Sequence, residues 1–402
     1  MTDEFDGRLR RPLPRRRFLQ TSAAAAAVLA FGTPAWAEQP ERPRLVVVLL
    51  RGAVDGLAVA APVGDPHYAE MRAGLTLEDG IPLDGLFSLN PSMPGFARLF
   101  ADRQAAIVHA VATPYRNRSH FDGQDVLESG YPERGQTDSG WLNRAIGEAA
   151  RRGGPQPPAL AIGASLPLIL RGPAPVTTWI NEATTRSSPG TRERLLDLYK
   201  QTNPSLAEGL ARAVELDATA RSDAELKATP SRRNGFVEDM RVLAAFLRES
   251  SGPSVGVIDS DGWDTHVKEG PQKGRLGRLL AELDQGLLTL RDGLGPVWAQ
   301  TTVVVVTEFG RTVRMNGTTG TDHGNGTLAL LAGGGVAGGK VVADWPGLAP
   351  GSLYEGRDLQ PTIDTRSIFK AVAERHFGLD GSSLDRVFPS SGSAPPLPRL
   401  VT

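Results

Sequence analysis

The sequence predicts an α/β protein with a mostly parallel β-sheet flanked by helices on both faces. Residues 45–50, Leu-Val-Val-Val-Leu-Leu, form a continuous apolar run rich in β-branched side chains, which is typical of a strand buried on both faces. Residues 301–306 have the same character. Between these runs, leucines recur at spacings of three and four over residues 276–294, which predicts an amphipathic helix. Strands that alternate with helices favour a parallel sheet covered on both sides.

Weaker apolar runs predict further strands over residues 105–111, 159–162, 255–258 and 328–331. Two more helical patterns cover residues 192–200 and 237–248. Residues 174–235 hold polar runs and helix formers with few strand signals, so we expect a helical insertion that caps one end of the sheet. Together these elements predict one α/β domain over residues 38–388, followed by a Ser/Pro-rich tail over residues 389–402.

The N-terminal segment is typical of an export signal. Residues 15–19, Arg-Arg-Arg-Phe-Leu, resemble the twin-arginine consensus, and a short Ala-rich apolar run follows them. Residues 35–37, Ala-Trp-Ala, fit a signal-peptidase site. The apolar run is roughly half of the ~20 residues that a membrane anchor needs. We therefore expect a cleaved signal peptide over residues 1–37, the twin-arginine translocase as a partner during export, and a periplasmic or secreted mature protein.

Composition excludes several classes of function. Removing residues 1–37 takes away six arginines and three acidic residues, so the net charge changes from −1 to −4. This balance does not favour nucleic-acid binding. The chain has no cysteine, which excludes thiol nucleophiles, iron–sulfur clusters, zinc–thiolate sites and disulfides. No later segment is long and apolar enough to predict a membrane span in the mature form.

Sites in open α/β sheets gather at the carboxyl ends of strands, so polar residues just after each apolar run are candidates. Asp55 and Gly56 follow the first run, residues 45–50. An acid before a glycine at such a point can bind a hard cation or orient a ligand. The alternative is that the pair simply forms a turn.

Arg118, Ser119 and His120 follow the predicted strand at residues 105–111. A serine at a helix N-terminus beside arginines suits a nucleophile for a phosphate or sulfate ester, since the backbone N–H groups there face an anion. The alternative is an ordinary capped helix with solvated arginines.

The run at residues 255–258 leads into Asp261, Asp264 and His266. Acidic side chains this close in sequence suggest a cation, because like charges raise each other's pKa unless something neutralises them. The alternative is an acidic loop that carries a surface histidine.

The strong run at residues 301–306 is followed by Glu308 and, about a dozen residues later, by Asp322 and His323. A carboxylate beside an imidazole suits zinc, iron or manganese. The alternative is a glycine-rich turn with a capping aspartate. The remaining three histidines lie outside these clusters, and we expect them to be structural: His67, His109 and His376.

Five ordered motifs resemble a known family. They are Arg51-Gly-x-x-Asp55-Gly-Leu, Arg118-Ser-His-Phe-Asp122, Gly262-Trp-Asp-Thr-His266, Glu308-Phe-Gly-Arg-Thr312 and Gly320-Thr-Asp-His-Gly324. Over roughly residues 43–376, their order resembles the twin-arginine-exported bacterial family called domain of unknown function 1501. That family is similar to the alkaline phosphatase and sulfatase superfamily, which implies an alkaline phosphatase-like fold.

The resemblance implies an exported, metal-assisted hydrolase of phosphate or sulfate esters, with Ser119 as nucleophile and Arg118 and His120 as further catalytic residues. A divalent ion, zinc, manganese, iron or calcium, would be held by the ligands it implies: Asp55, Asp264, His266, Glu308, Asp322 and His323. The substrate expected is a small anionic ester.

One departure from the superfamily favours a second reading. Glu308-Phe309 stands where the superfamily has Asp-His, so an imidazole ligand is missing at that position. This favours a non-catalytic periplasmic binding or assembly protein on the same scaffold, which serves a secreted protein partner.

Overall fold

The computed structural model describes residues 42–154, 156–163, 165–180 and 235–402. The predicted signal peptide, residues 1–37, lies outside the described residues. So do the helix predicted over 192–200 and most of the predicted insertion, whose helical character stays a prediction. Within the described ranges, no helix combines the length and the apolarity that crossing a membrane needs.

The described strands are β1 (Arg44–Arg51), β2 (Ala60–Ala61), β3 (Ile81–Pro82), β4 (Ser88–Leu89), β5 (Ala105–Ala112), β6 (Ala159–Ile162), β7 (Val176–Trp179), β8 (Val255–Asp261), β9 (Thr301–Thr307), β10 (Thr327–Ala332), β11 (Lys340–Val342) and β12 (Ile363–Asp364). Nine of them form one sheet in the order β11-β5-β10-β9-β1-β8-β6-β7, with β12 also paired to β5. Strands β2, β4 and β3 form a small antiparallel sheet beside it.

The prediction of a mostly parallel sheet is confirmed. Strand β1 lies between β8 and β9 and is parallel to both, with Val47 opposite Val257 and Val304. Strand β10 is antiparallel to both of its neighbours, β5 and β9. Because β10 runs the other way, the residues just before it lie at the edge where its neighbours end.

The described α-helices are α1 (Gly56–Val59), α2 (Tyr68–Met71), α3 (Pro94–Ala101), α4 (His120–Ser129), α5 (Trp141–Arg151), α6 (Gly235–Arg248), α7 (Arg275–Leu294), α8 (Thr365–Phe377) and α9 (Gly381–Val387). Short 3-10 segments cover Leu168–Leu170, Gly295–Gln300 and Pro350–Ser352. Helix α7 carries the leucine stripe, whose members are buried along one face.

Helices cover both faces of the sheet because successive strand residues point to opposite sides. Val46 and Val48 of β1 join a core with the apolar faces of α3, α6 and α7. Leu45 and Val47 join a second core with α5, α8 and α9. This explains why the sequence of β1 is apolar without alternation. Each such side chain stabilises the fold by about 1.5–3 kcal/mol when fully buried.

The start of the predicted insertion and the predicted C-terminal tail both pack into the folded domain. The predicted helical insertion begins with a strand, since residues 176–179 form β7 at the edge of the sheet. The β-branched Val-Thr-Thr run before Trp179 favours this extended conformation. The predicted Ser/Pro-rich tail packs on the domain, because Leu400 is buried and Val401 forms a bridge to Val336.

A buried ion pair lies beneath the end of β1. Asp55 is 1% exposed and caps α1 through a hydrogen bond that its Oδ1 accepts from the Leu57 amide, at 3.1 Å. Its other oxygen pairs with the guanidinium of Arg72, which is fully buried. Burial raises the pKa of neighbouring Glu269 well above its ordinary value. This direction favours the neutral form of Glu269 beside the Asp55–Arg72 pair.

The N-terminus of helix α3 is capped by a side chain of another helix, α7. Its N-cap residue, Met93, makes no side-chain capping bond. Instead, the buried carboxylate of Asp284 on α7 accepts hydrogen bonds from the amides of Gly95 and Phe96, at 2.9 and 2.6 Å. These amides are orphan donors of the first helical turn. Asp284 thus ties the two helices together.

Replacing Asp284 by Ala should lower the free energy of unfolding by about 1–3 kcal/mol, because two buried amides lose their acceptor. Denaturant-induced unfolding followed by circular dichroism measures the change. The matched control is Gln285→Ala, an exposed position on the same helix, which should change stability by no more than about 0.5 kcal/mol. Equal stability of the Asp284 variant and the wild type would contradict the capping role.

Candidate metal centre

Three loops meet at the edge where β1, β8 and β9 end. Residues 308–312 follow β9, and residues 321–324 precede the reversed strand β10. The two segments pair through hydrogen bonds from Thr312 N to Asp322 O (2.9 Å) and from Gly324 N to Gly310 O (2.8 Å). Gly324 permits this approach, because a Cβ there would lie 2.4 Å from backbone atoms of Arg311.

The loop after β8 joins the same edge through its backbone. The amide of Thr321 donates to the carbonyl of Thr265 at 3.2 Å, and the amide of Lys268 donates to Thr318 at 3.0 Å. The first residue of helix α4, His120, completes the group from the side of β5. Residues that are far apart in sequence are therefore held together by backbone hydrogen bonds.

Three imidazoles and one carboxylate converge at this edge. The Nε2 atom of His323 lies 3.0 Å from Nε2 of His120 and 2.9 Å from Nε2 of His266. Oδ1 of Asp264 lies 3.2 Å from Nε2 of His323 and 3.0 Å from Nε2 of His266. The other carboxylate oxygen of Asp264 is 3.6 Å from Nε2 of His120. Among the described residues, His120, Asp264 and His323 form a group whose ligand atoms all lie within 4.8 Å of one another.

The opposite nitrogen of each ring faces a hydrogen-bond acceptor. The acceptors are Glu308 Oε1 for Nδ1 of His120 (2.8 Å), Asp322 Oδ1 for Nδ1 of His266 (3.2 Å), and the Arg118 carbonyl oxygen for Nδ1 of His323 (3.0 Å). A carbonyl or carboxylate oxygen only accepts, so each Nδ1 carries the proton. In a neutral ring the lone pair is then on Nε2.

This arrangement fits a divalent cation. Two further Nε2 atoms and a carboxylate oxygen lie 2.9–3.2 Å from Nε2 of His323, and their lone pairs repel that of His323 unless a proton or a cation lies among them. Imidazole and carboxylate are ligands of zinc, iron and manganese. Rings whose Nδ1–H groups donate to carboxylates or carbonyls are typical of metal-bound histidines. The residues present therefore suit a metal ion.

The ionisation of the site follows its hydrogen bonds. The hydrogen bond to Glu308 raises the pKa of His120 above its ordinary value. Burial lowers the pKa of His323. Burial opposes ionisation of Glu308 and of Asp264, but hydrogen bonds, led by those from His120 and Arg311 respectively, outweigh it and leave both pKa values lowered. Both carboxylates are therefore ionised near neutral pH.

Glu308 contacts Nδ1 of His120 and does not contact the Nε2 cluster. Its carboxylate is 1% exposed. Besides His120, Oε1 accepts hydrogen bonds from the Gly52 amide (2.9 Å) and from Gln124 Nε2 (3.2 Å), and Oε2 accepts from Thr307 Oγ1 (2.8 Å). With this many donors, Glu308 fixes the orientation of His120.

Two further residues shape the cluster, and neither was among the sequence candidates. Arg311 is buried and donates to Oδ1 of Asp264, while its Nε donates to Thr321 Oγ1 at 3.0 Å. Phe309 is buried and stacks on the ring of His120, with centroids 5.0 Å apart. Both lie in the Glu-Phe-Gly-Arg motif after β9. This motif indicated the position of the site, but it did not indicate the roles of Phe309 and Arg311.

The structure brings together some predicted site residues and separates others. Asp264, His266 and His323, predicted as ligands, converge with His120, which was predicted to be catalytic. Glu308 and Asp322, also predicted as ligands, contact Nδ1 atoms instead. Asp55 does not join them, because both of its oxygens are engaged by the Leu57 amide and Arg72. Asp261 is exposed at the end of β8.

Ser119 and Arg118 lie beside the cluster and differ in the contacts that their side chains make. Ser119 is the half-buried N-cap residue of α4, and its side chain makes no capping hydrogen bond. The guanidinium of Arg118 is bound by Glu355 and Asp358. The side chain that the sequence assigned to anion binding is therefore already neutralised by two carboxylates.

Several solved structures are similar to this chain in fold, at low sequence identity. Ps i-CgsB in complex with k-i-k-neocarrahexaose is 11% identical, with a TM-score of 0.42 over 85% of this chain and 74% of that chain. The PsFucS1 sulfatase from Pseudoalteromonas sp. is 12% identical, with a TM-score of 0.36 over 92% and 73%. A protein in the alkaline phosphatase superfamily from Vibrio parahaemolyticus is 12% identical, with a TM-score of 0.35 over 74% and 61%. These values assign neither a reaction nor a substrate to this chain.

No curated protein matches the chain. The family predicted from the five motifs is confirmed by a match over residues 88–388, three-quarters of the sequence. The chain belongs to the family described as Protein of unknown function (DUF1501).

Proposed function

We propose that the protein is an exported, metal-assisted hydrolase of phosphate or sulfate esters. The ion is held by His120, Asp264, His266 and His323. The observation that supports this most strongly is the convergence of three Nε2 atoms on one carboxylate, with every Nδ1 anchored by an acceptor.

The four ligand side chains remain accessible, which suits a catalytic centre better than a closed structural one. Their exposed fractions are 26% for His120, 25% for His323 and 39% for both Asp264 and His266. An ester group can therefore reach the cluster from solvent. A divalent ion supplies positive charge there, which stabilises the negative charge that develops on the ester oxygens.

Ser119 is the nucleophile in this proposal. It directly precedes His120, its hydroxyl is not used for capping, and the N–H groups of the first turn of α4 favour an anion at this position. The bond from Ser119 Oγ to phosphorus or sulfur forms as the bond to the leaving alcohol breaks. The serine proton passes through solvent to the departing alkoxide, and water then hydrolyses the seryl ester.

A second candidate is a non-catalytic binding or assembly protein on the same scaffold, which recognises a secreted partner. The ion pairs of the two arginines nearest the cluster favour it. Arg118 is held by Asp358 and Glu355, and Arg311 is held by Asp264. Neither guanidinium is free to bind a substrate anion, so only the ion and the N–H groups at the start of α4 would remain to do so.

Metal binding is the first test. Metal-free protein titrated with zinc, manganese, iron or calcium should bind one of these ions stoichiometrically by isothermal titration calorimetry. At a free ion concentration of 100 times Kd, stability should rise by about 2.7 kcal/mol. His323→Ala should abolish binding, whereas His67→Ala, a substitution of a half-buried histidine outside the cluster, should leave it intact. Folded wild-type protein that binds none of these ions contradicts the proposed centre.

Glu308→Gln should weaken ion binding about 10- to 100-fold, because the amide is a poorer partner for the Nδ1–H of His120. The matched control is Glu128→Gln. Glu128 is also a buried glutamate at this edge, but it pairs with Arg51 and the Ile169 amide and touches no histidine. Both variants should lose stability, and only the first should lose affinity. Equal ion affinities would exclude the orienting role of Glu308.

Ser119→Ala should lower turnover of an aryl phosphate or aryl sulfate by at least about 10³-fold while ion affinity is unchanged. Asn117→Ala, an exposed position in the same loop, is the control and should keep wild-type turnover. Unchanged turnover in the Ser119 variant removes this residue as nucleophile. An ion-loaded wild type that hydrolyses neither ester supports the binding protein instead.

A further inference from the structure

Asp358, which lies between β11 and β12, contacts two of the three loops that carry the histidines of the proposed centre, from outside the cluster. It is fully buried. Its Oδ2 accepts hydrogen bonds from Nε of Arg118 (2.9 Å) and from Nδ2 of Asn325 (2.9 Å), and pairs with Nη2 of Arg118 at 2.8 Å. Arg118 lies two residues before His120, and Asn325 lies two residues after His323. One carboxylate therefore joins two loops that are distant in sequence.

The backbone of Arg118 is held in a conformation that L-residues rarely adopt. Its φ angle is +60°, in the left-handed region that favours glycine. In this conformation the Arg118 carbonyl accepts the hydrogen bond from Nδ1 of His323 at 3.0 Å. Such a conformation persists only where surrounding contacts impose it. The Arg118 side chain is held by two carboxylates, the exposed Glu355 and the buried Asp358. Water and salt screen a buried ion pair less than an exposed one, so Asp358 is the stronger restraint.

Asp358 is itself fixed by the backbone around it. The amide of Asp358 donates to the carbonyl of Tyr354 at 3.0 Å, and the amide of Tyr354 donates to the carbonyl of Asp358 at 2.9 Å. The adjacent Arg357 carbonyl accepts from the Val313 amide at 3.1 Å, and Nη2 of Arg357 donates to the His323 carbonyl at 2.6 Å. The segment at residues 354–358 is therefore anchored to the loop after β9 and to His323.

We propose that Asp358 is a positioning residue of the metal centre: through Arg118, it holds the carbonyl that fixes the proton of His323 on Nδ1. This inference rests on the proposed function, because the tautomer matters only if an ion binds. Its test does not, because the tautomer is measured in metal-free protein. The Nδ1–H tautomer leaves the Nε2 lone pair free for an ion. Without the ion pair, the backbone at residue 118 relaxes to negative φ, its carbonyl turns away, and His323 takes the Nε2–H tautomer, which cannot bind an ion through Nε2.

The tautomer is observable in metal-free protein by ¹⁵N NMR of the His323 ring at a pH where the ring is neutral. Wild-type protein should show Nδ1–H. Asp358→Asn, which keeps shape but removes the charge, should show a substantial Nε2–H population. Arg118→Ala should show the same, and the double variant should be no worse than either single variant, because both act on one interaction.

Ion affinity gives a second readout. Asp358→Asn should weaken binding about 10- to 100-fold. Asp65→Asn is the matched control: Asp65 is a buried aspartate that anchors Trp345 and Leu348 of the same connection between β11 and β12, without contact to the cluster. It should lower stability and leave both tautomer and affinity unchanged.

The outcomes separate the two proposals. A wild-type tautomer in Asp358→Asn, or an equal shift in Asp65→Asn, overturns the positioning role. Additive effects in the double variant overturn the route through Arg118. If the wild-type protein binds no ion, the proposed function is overturned. A tautomer change that occurs in Asp358→Asn and not in Asp65→Asn still supports the positioning role of Asp358.

Discussion

The constraint on which the site depends is electrostatic. Nε2 of His323 lies about 3 Å from two other imidazole nitrogens and from a carboxylate oxygen, a spacing at which facing lone pairs repel one another unless a proton or a cation lies between them. The fold imposes the spacing through backbone pairing of the loops after β8, after β9 and before β10. Reversal of β10 is essential, because it carries His323 to the edge where its neighbours end. The direction of β10 therefore determines whether His323 can join the other histidines.

The residues around the cluster act by restricting the rings. Glu308, Asp322 and the Arg118 carbonyl each take one Nδ1–H, and Arg311 holds Asp264. Burial at Glu308 strengthens its hydrogen bonds, because they are not shared with water. Such outer contacts decide which nitrogen of each histidine is available. They come from elements on every side of the cluster, so no single loop specifies the centre.

Much of the fold could be predicted from the sequence, because apolar runs such as residues 45–50 and 301–306 carry a strong local signal. The direction of β10 could not, since a short apolar run reads the same in either direction. In the site, clustering in the sequence selected the three histidines whose Nε2 atoms the structure brings together, but it could not separate a carboxylate that faces the Nε2 cluster from one that faces Nδ1. Asp55 illustrates the limit: its partner Arg72 is visible only in three dimensions. Asp358 lies in no polar motif, so nothing local marked it.

The side chains of the proposed centre come from residues 120, 264, 266 and 323, and their assembly requires the central sheet to be complete. An ion bound there would not nucleate the fold, because the side chains come together only through long-range pairing. Binding would instead report that folding has finished. Occupancy of the proposed centre would then serve as a chemical mark of maturity for any process that must tell finished molecules from nascent ones.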